Sequence, residues 1–238
     1  MKKITKYIPT IILTLLCSCS DYLDIVPDNV TTLDIVFNNR NTAERYLANC
    51  YHFVPDHGSV KRIPGMGAGH ECWFYTTNDS HFDNEVSFYI ARGLQNIDAP
   101  YANYWDGEGG SNLPMFRAIR ECNIFLDYVR DQHKVNDLTD SERKRWIAEV
   151  NVLKAYYHFF LFEHYGPIPI VDKALPVSTD PEGVKVTRMP VDQIVDYMVK
   201  LIDDSYKDLP PVITMEATEM GRLTQPAALA LKAKILLW

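Results

Sequence analysis

The sequence lacks the excess of positive charge that binding to a polyanion requires. Its 238 residues include 24 Lys and Arg against 31 Asp and Glu, for a formal net charge of −7. Because neutralising phosphates requires clustered Lys and Arg, this balance argues against nucleic acid as a partner. It equally disfavours a purely electrostatic attachment to anionic lipid. The 47% hydrophobic and 23% charged residues are ordinary for a globular protein, and the length allows a sizeable core.

The sequence also lacks a disulfide framework. None of its five cysteines forms a CxxC pair, and those beyond the N-terminal segment, Cys50, Cys72 and Cys122, are widely and irregularly spaced. Cys50 and Cys122 each fall within a helical apolar pattern. We therefore expect both to be packed thiols rather than halves of a disulfide.

Catalytic and metal-binding motifs are incomplete or missing. His70-Glu71 begins like a zinc-protease helix, but Phe74 stands where the second His is needed. His158 and His164 are six residues apart and would lie on different faces of one helix. The glycine-rich segment 65–69 has neither the preceding strand nor the following Lys of a phosphate loop, and no GxSxG motif occurs. The sequence therefore predicts no catalytic residue, no metal site and no cofactor.

The first 18 residues have the order of a secretory signal peptide. Three lysines lie among the first six residues, and the mostly apolar run 8–16 is about half the ~20 residues that a membrane-spanning helix needs. The following residues resemble a bacterial lipoprotein box, with Cys19 as the residue that carries palmitate or a similar lipid. Cys17 does not fit this role, because bulky Leu16 would occupy its cleavage position. The alternative is a plain secreted protein in which Cys19 is incidental.

The chain divides into three predicted regions. Residues 1–18 are the lipoprotein signal peptide, and 19–40 are a lipidated tether with several acidic residues. Such residues after the lipidated cysteine resemble the surface-export signal of Bacteroidetes lipoproteins, although they are equally consistent with a merely solvated linker. Residues 41–238 form a helical domain whose part 55–112 is rich in loops.

Helical periodicity governs the region after the tether. Asn41 is the predicted N-cap of the first helix, and Thr139 with Glu142 has the spacing of a capping box. Gly166-Pro167 is a helix stop, because Pro cannot continue a helix. The predicted helices are about 41–54, 113–131, 139–165, 190–208 and 224–238.

The last of these helices has no stop signal. Its apolar pattern runs to Trp238 without a glycine or a polar cap. We therefore expect the sequence to be truncated, with a large part of the protein missing.

The loop-rich region holds the candidate ligand-binding residues. Trp73 and Tyr75 offer flat apolar faces, and Asn78 and Asp79 offer short polar side chains nearby. Sugar rings present C–H faces and hydroxyl rims, which aromatic and Asn or Asp side chains complement. The alternative is that these aromatic residues plug the core beneath the loop. For Tyr104-Trp105, packing is the preferred interpretation.

Four blocks resemble SusD/RagB-type outer-membrane lipoproteins. The segment 148–170, AEVNVLKAYYHFFLFEHYGPIPI, is similar to the family's long helix and its Gly-x-Ile/Val-Pro exit. Residues 187–197, TRMPVDQIVDY, and 221–234, GRLTQPAALALKAK, resemble two further family blocks. Residues 19–27, CSDYLDIVP, are typical of the mature N-terminus. The departure is Gln225, where a Lys is common.

This resemblance implies an all-α fold of tetratricopeptide-like helix pairs with long irregular loops. It further implies a non-catalytic lipoprotein, exposed on the surface of the outer membrane, that binds glycan or sometimes peptide. Such a protein acts as a lid on a SusC-like TonB-dependent transporter and delivers oligosaccharide to it. The ligand loops vary within the family, so no ligand residue carries over by motif.

Two other readings remain open at this point. One is a lipid-anchored hydrolase whose catalytic residues lie in the missing C-terminal half. The other is a structural adaptor that docks a protein or peptide partner on its helical repeats.

Overall fold

The structure, a computed structural model, describes residues 33–58, 64–69, 86–108, 113–176, 182 and 185–238. The chain separates into two units, Met1–Val36 and Phe37–Trp238. In the first unit, the described part is the single helical turn α1, Leu33–Val36, in which Leu33 and Ile35 are exposed.

In the described residues of the second unit, the regular structure is entirely helical, so the all-α prediction is confirmed. A short 3-10 helix spans Tyr206–Asp208. None of the helices in this part of the chain combines the length and the apolar character that crossing a membrane requires. The α-helices are α2 Arg40–His52, α3 Pro64–Gly67, α4 Val86–Ala91, α5 Met115–Val129, α6 Asp140–Tyr165, α7 Val191–Asp203, α8 Glu216–Glu219 and α9 Gln225–Leu237.

The long helix α6 is the centre of the fold. It begins at the predicted capping box, in which Thr139 and Glu142 bond reciprocally, and it ends at Gly166, whose φ of 68° suits glycine. Nearly every residue from 148 to 162 is buried, so the helix has no solvent face over that stretch. Helix α5 packs along it before the connection and α7 after it, which gives consecutive helix pairs.

Two predicted helix ends were wrong by several residues. Asn39, not Asn41, caps α2: Asn39 is extended, and its side chain accepts a hydrogen bond from the Thr42 N–H at 3.0 Å. Helix α7 stops at Asp203 rather than near residue 208. The reason lies in the core, where the Asn151 side chain donates to the hydroxyl of buried Ser205 at 2.9 Å and so holds the chain just beyond the helix end.

The connection between α5 and α6 is closed by one arginine. The Arg143 guanidinium donates to the carbonyl oxygens of Val129, Asp131, Lys134 and Val135. These include carbonyls that α5 leaves without an intrahelical partner at its C-terminal end. One side chain therefore satisfies the end of α5 and fixes the turn that leads into α6.

The two predicted packed thiols are confirmed. Cys50 on α2 and Cys122 on α5 are both free and fully buried. A hydrogen bond with Cys122, together with burial, raises the pKa of the Cys50 thiol and keeps it protonated. The fully buried Tyr157 on α6 donates its hydroxyl proton to the Cys50 carbonyl oxygen, which ties α2 to the central helix.

A buried charge cluster joins α6 to the segment that precedes α9. Glu149 is fully buried and accepts hydrogen bonds from Arg222 at 2.8 and 3.1 Å and from Arg145 at 2.9 Å. The Tyr51 hydroxyl donates to the same carboxylate at 2.7 Å. Glu219 bridges the two arginines on the outer side. The arginine of the GRxT block is therefore a structural clamp.

The segment after α6, residues 166–176, is held by polar side chains that reach out of the helical core. The Lys154 ammonium donates to the Asp172 carbonyl at 2.9 Å and to its carboxylate at 2.8 Å. The Asn123 amide donates to the Val171 carbonyl at 3.0 Å. We call these residues the exit segment.

His158 completes this attachment as a neutral imidazole. Its Nδ1 donates to the Lys154 carbonyl at 2.7 Å, and its Nε2 accepts the Val171 N–H at 3.4 Å. Burial lowers the pKa of His158 to about 4, because the charged form would lose its hydration inside the core. Protonation of Nε2 would also remove the acceptor for the Val171 amide.

We predict that Tyr157→Ala lowers the free energy of unfolding by about 3 kcal/mol or more, because it empties an aromatic site in the core. Tyr157→Phe should cost only about 1 kcal/mol, since the ring remains and one hydrogen bond is lost. Denaturant unfolding measures both values. Unchanged stability in the alanine variant would contradict the assignment of Tyr157 to the core.

We also predict that the protein loses stability between about pH 7.5 and pH 5 through His158. The unfolded chain binds a proton at this residue below its ordinary pKa near 6.5, whereas the folded protein does not until about pH 4. The free energy of unfolding therefore decreases as the pH is lowered, and at pH 5 it is roughly 2 kcal/mol below its value at neutral pH. Thermal melts across this range should show a smaller decrease for His158→Asn.

His133→Asn is the matched control for this measurement. His133 lies in the α5–α6 connection and is exposed. Its replacement should leave the pH dependence of the melting temperature unchanged. An equal effect of the two substitutions would refute the role of the buried imidazole.

Candidate functional site

The residues predicted from the sequence to bind ligand lie outside the described residues. This applies to Trp73, Tyr75, Asn78 and Asp79, and also to the predicted lipidation residue Cys19. The structure does describe residues 86–108 of the loop-rich region. Residues of this segment line two cavities, one together with the C-terminal end of α6 and one together with α5 and the exit segment.

The loop after α4 is ordered by side chains that bond its own backbone. The Gln95 side-chain amide makes two hydrogen bonds with the backbone of Tyr101. It donates to the Tyr101 carbonyl oxygen at 2.9 Å and accepts from the Tyr101 N–H at 2.6 Å. The Asn96 side chain accepts the Ala99 N–H at 2.7 Å. The Tyr101 ring stacks on Tyr89, with centroids 4.8 Å apart and an interplanar angle of 24°. The loop therefore presents Tyr101 from a defined position.

The next turn places strained backbone beside this ring. Ala102 has a φ of 51°, a conformation that few residues other than glycine adopt. Asn103 bonds the Asp106 carboxylate at 2.7 Å and accepts the Trp105 N–H at 3.0 Å. Gly107 is required in turn, because a Cβ there would lie 2.8 Å from the Pro114 ring.

Tyr104 anchors the loop to the central helix. Its N–H donates to the Tyr165 hydroxyl at 2.9 Å, and its buried ring meets Phe160 and His164 edge-on at 4.9 and 4.7 Å. The preferred packing interpretation is therefore confirmed for Tyr104. Trp105 is half-buried, and each of the two residues also lines a cavity, Tyr104 one and Trp105 the other.

The first cavity, which we call the aromatic pocket, has a volume of about 270 Å³. Aromatic rings and polar groups without formal charge dominate its wall. His164 donates from Nδ1 to the Phe160 carbonyl at 2.7 Å, so its Nε2 is the remaining ring nitrogen. Lining residues are Ile90, Gln95, Pro100, Tyr101, Ala102, Asn103, Tyr104, His164 and Tyr165.

The second cavity, the basic pocket, has a volume of about 240 Å³. It lies where the exit segment approaches α5, and its wall combines apolar residues with two cationic side chains. The Arg120 guanidinium donates to the Leu175 carbonyl. Lining residues are Trp105, Phe116, Arg120, Pro169, Val171, Lys173, Leu175 and Val186.

The two pockets are separated by a thin aromatic wall. Tyr104 and Tyr165 line the aromatic pocket, and Trp105, next in the chain, lines the basic one. The Trp105 ring meets Tyr165 edge-on at 5.5 Å and Phe116 at 4.6 Å.

Arg188 fixes the wall from the other side. It donates to the Pro167 carbonyl at 2.8 Å and to the Tyr165 carbonyl at 3.3 Å. Its guanidinium lies 5.2 Å from the centre of the Trp105 ring, a cation–π distance. The arginine of the TRMP block therefore holds the helix exit and the tryptophan together.

A larger cavity of about 500 Å³ lies between α2, α6 and α9. Its wall is mostly apolar, and its two tyrosine hydroxyls are already engaged. Tyr156 bonds the His57 Nε2 at 2.6 Å, and Tyr51 bonds Glu149. A sugar needs hydrogen-bonding groups around its hydroxyls, so this groove suits a glycan less well than the loop pockets do.

Within the described residues, no cluster of three or more His, Cys, Asp or Glu side chains is arranged to hold a metal ion. No described carboxylate lines either loop pocket, whereas glycoside hydrolysis ordinarily uses a pair of them. The arrangement in this part of the chain is suited to binding.

Sequence reasoning did not find the aromatic pocket. The density of aromatic residues between 73 and 105 indicated a binding region, and Tyr101 belongs to that group. However, His164 and Tyr165 come from the end of α6, and only folding brings them to the loop. The backbone role of Gln95 carries no sequence signature.

A family model described as "Starch-binding associating with outer membrane", SusD-like, matches residues 21–237. No curated protein matches the chain significantly.

Several solved structures share the fold. BT4246 superposes with a TM-score of 0.66 at 26% identity, over 84% of this chain and 31% of its own. A SusD-like protein from Bacteroides fragilis superposes with a TM-score of 0.63 at 18% identity, over 90% of this chain and 36% of its own. Surface glycan-binding protein A from Bacteroides thetaiotaomicron, in complex with laminarihexaose, has a TM-score of 0.59 at 19% identity. The match covers 84% of this chain and 39% of that protein.

This chain thus spans about a third of the length of the solved structures that it matches. The family match, in contrast, covers nearly all of the chain, and the helical architecture agrees with it. The chain belongs to the SusD-like family of starch-binding, outer-membrane-associated proteins, whose fold is built on tetratricopeptide-like helices.

Proposed function

We propose that this chain is part of a lipid-anchored glycan-binding protein that captures oligosaccharide outside the cell and delivers it to a SusC-like TonB-dependent transporter. Its role is binding without cleavage. The proposal rests on family membership and, within the molecule, on the aromatic pocket beside the end of α6.

The chemistry of that pocket is the observation that carries the proposal. Tyr101 is backed by Tyr89, which fixes its ring for stacking against the C–H face of a sugar. Tyr165 and His164 line the same wall. The Tyr165 hydroxyl accepts the Tyr104 N–H but keeps its own proton to donate, and the His164 Nε2 is left to accept, so both groups are suited to hydrogen bonds with sugar hydroxyls. Because the loop is held by its own backbone bonds, little ordering is needed on binding.

Trp73, Tyr75, Asn78 and Asp79 are proposed to contribute further glycan contacts. They belong to the same loop-rich region of the sequence and have the same mixture of flat apolar and short polar groups. One structural neighbour is a laminarin-binding SusD-like protein, and another is in complex with laminarihexaose. These relatives support a glycan as the ligand class of this chain.

The proposed location is the outer face of the outer membrane. Residues 1–18 would be removed as a signal peptide, Cys19 would carry the lipid, and 19–40 would tether the helical domain 41–238. The family description, association with the outer membrane, supports this placement. Because the protein's mature charge is acidic, the lipid rather than electrostatics would hold it there.

We predict that Tyr101→Ala weakens glycan binding roughly ten-fold, the loss expected from one aromatic stacking contact. Trp73→Ala should weaken it as well. Affinity gels containing individual polysaccharides measure the change as lost retardation, and a parallel reducing-sugar assay should detect no product from the wild-type protein.

Tyr206→Ala is the matched control, because Tyr206 is also a half-buried tyrosine but lines neither loop pocket. The Tyr206→Ala variant should bind glycan as well as the wild-type protein does. Equal losses in the Tyr101 and Tyr206 variants would count against the aromatic pocket. Release of reducing sugar would favour a hydrolase, and wild-type protein that no glycan retards would overturn glycan binding.

We predict that Cys19→Ser abolishes incorporation of labelled palmitate and releases the protein from the membrane fraction, because a lipid chain is the proposed anchor. Cys17→Ser is the control and should remain acylated, since Leu16 makes Cys17 unsuitable for lipidation. A Cys19 variant that stays membrane-bound would contradict the anchor.

A further inference from the structure

The basic pocket concentrates positive charge in an acidic protein. The chain carries a net charge of −7, yet two cations, Arg120 and Lys173, line this one cavity. Arg188 adds a third at its edge, 5.2 Å from the centre of the Trp105 ring. No described carboxylate belongs to the wall.

Several other basic side chains of the fold, unlike these three, are held by acidic partners. Arg145 and Arg222 are paired with buried Glu149, and half-buried Lys232 is paired with Asp203 at 2.6 Å. Among the described residues, no carboxylate lies within ion-pair distance of Arg120, Lys173 or Arg188. Arg120 and Arg188 bond only backbone carbonyls there.

The carboxylates next to Arg120, Lys173 and Trp105 in the sequence have other partners. Glu121, next to Arg120, accepts a hydrogen bond from the Tyr46 hydroxyl. Asp172, next to Lys173, accepts hydrogen bonds from the Lys154 ammonium and from the Tyr197 hydroxyl, both at 2.8 Å. Asp106, next to Trp105, accepts from the Asn103 amide at 2.7 Å and from the Glu108 N–H at 3.1 Å. The charge of the basic pocket is therefore not balanced from its immediate neighbours.

The pocket is also well fixed. Lys154, His158 and Asn123 hold the exit segment that supplies Lys173, and Arg120 bonds the Leu175 carbonyl of the same segment. A fixed cationic cavity with an aromatic wall binds a charged group without a large ordering cost.

We propose that the basic pocket receives a negatively charged sugar residue, either the carboxylate of a uronate or a sulfate ester. Guanidinium and ammonium groups bind such oxyanions by charge-assisted hydrogen bonds, and the Trp105 and Phe116 rings cover the apolar part of the sugar. This inference rests on the proposed glycan-binding function and specifies its substrate class.

Ligand-observed saturation-transfer NMR on the full chain tests this proposal with three probes: glucuronate, glucose 6-sulfate and glucose. The two charged sugars should give at least about three-fold stronger saturation transfer than glucose, and added salt should weaken both, as expected for a charge interaction. The separate signals of glucuronate and glucose 6-sulfate decide between carboxylate and sulfate. Equal signals from all three probes would overturn the proposal.

Lys173→Gln is the first variant, because Lys173 is exposed and makes no ion pair whose loss would disturb the fold. It should lower the signal of the charged probe by about three-fold. Arg120→Gln should lower it at least as much. Arg117→Gln is the matched control on the same helix, since Arg117 is 69% exposed and does not line the pocket. A Lys173 variant that binds like the wild type would overturn the assignment.

The affinity gels separate this proposal from the function on which it rests. Retardation by neutral polysaccharides, with equal saturation transfer from charged and neutral probes, would leave glycan binding intact and refute the anionic preference. Absence of retardation by any polysaccharide, with no saturation transfer from any probe, would refute both.

Discussion

The burial of residues 148–162 of α6 on nearly all sides is the constraint on which the rest of this fold depends. A helix without a solvent face must give every polar side chain a partner, because an unpaired polar or charged group inside a core costs several kcal/mol. Glu149, Lys154 and His158 meet this requirement in different directions. Glu149 binds Arg222 of the segment before α9, while Lys154 and His158 form hydrogen bonds with the backbone of the exit segment. The polar residues of the central helix therefore place segments that are distant in the chain.

The same contacts position the binding surface. The exit segment forms one wall of the basic pocket, and the end of α6 supplies His164 and Tyr165 to the aromatic pocket. Core and site are thus continuous: the hydrogen bonds that satisfy α6 also fix the groups proposed to meet a ligand. Loops held in this way have a defined geometry, which suits the proposed binding of a ligand by loops on a helical scaffold.

Much of the scaffold was predictable because its signals are local. The Thr139–Glu142 capping box and the Gly166 stop depend on residues a few positions apart, and each was confirmed. Asn41 was wrong as a cap because Asn39 offers the same side chain and adopts the extended backbone that a cap needs. The early end of α7 depends on a bond between Asn151 and Ser205, which no local pattern contains.

The sequence by itself determined the helical class, the main helix ends and, through its family blocks, the family. Periodicity and capping act within one or two turns, so they can be read from neighbouring residues. Only the tertiary structure decided which residues share a pocket. Tyr101 and His164 are far apart in the chain, as are Arg120 and Lys173, and packing around α6 brings each pair to one cavity wall. Such long-range proximity depends on how buried polar groups find their partners, which is a property of the whole fold.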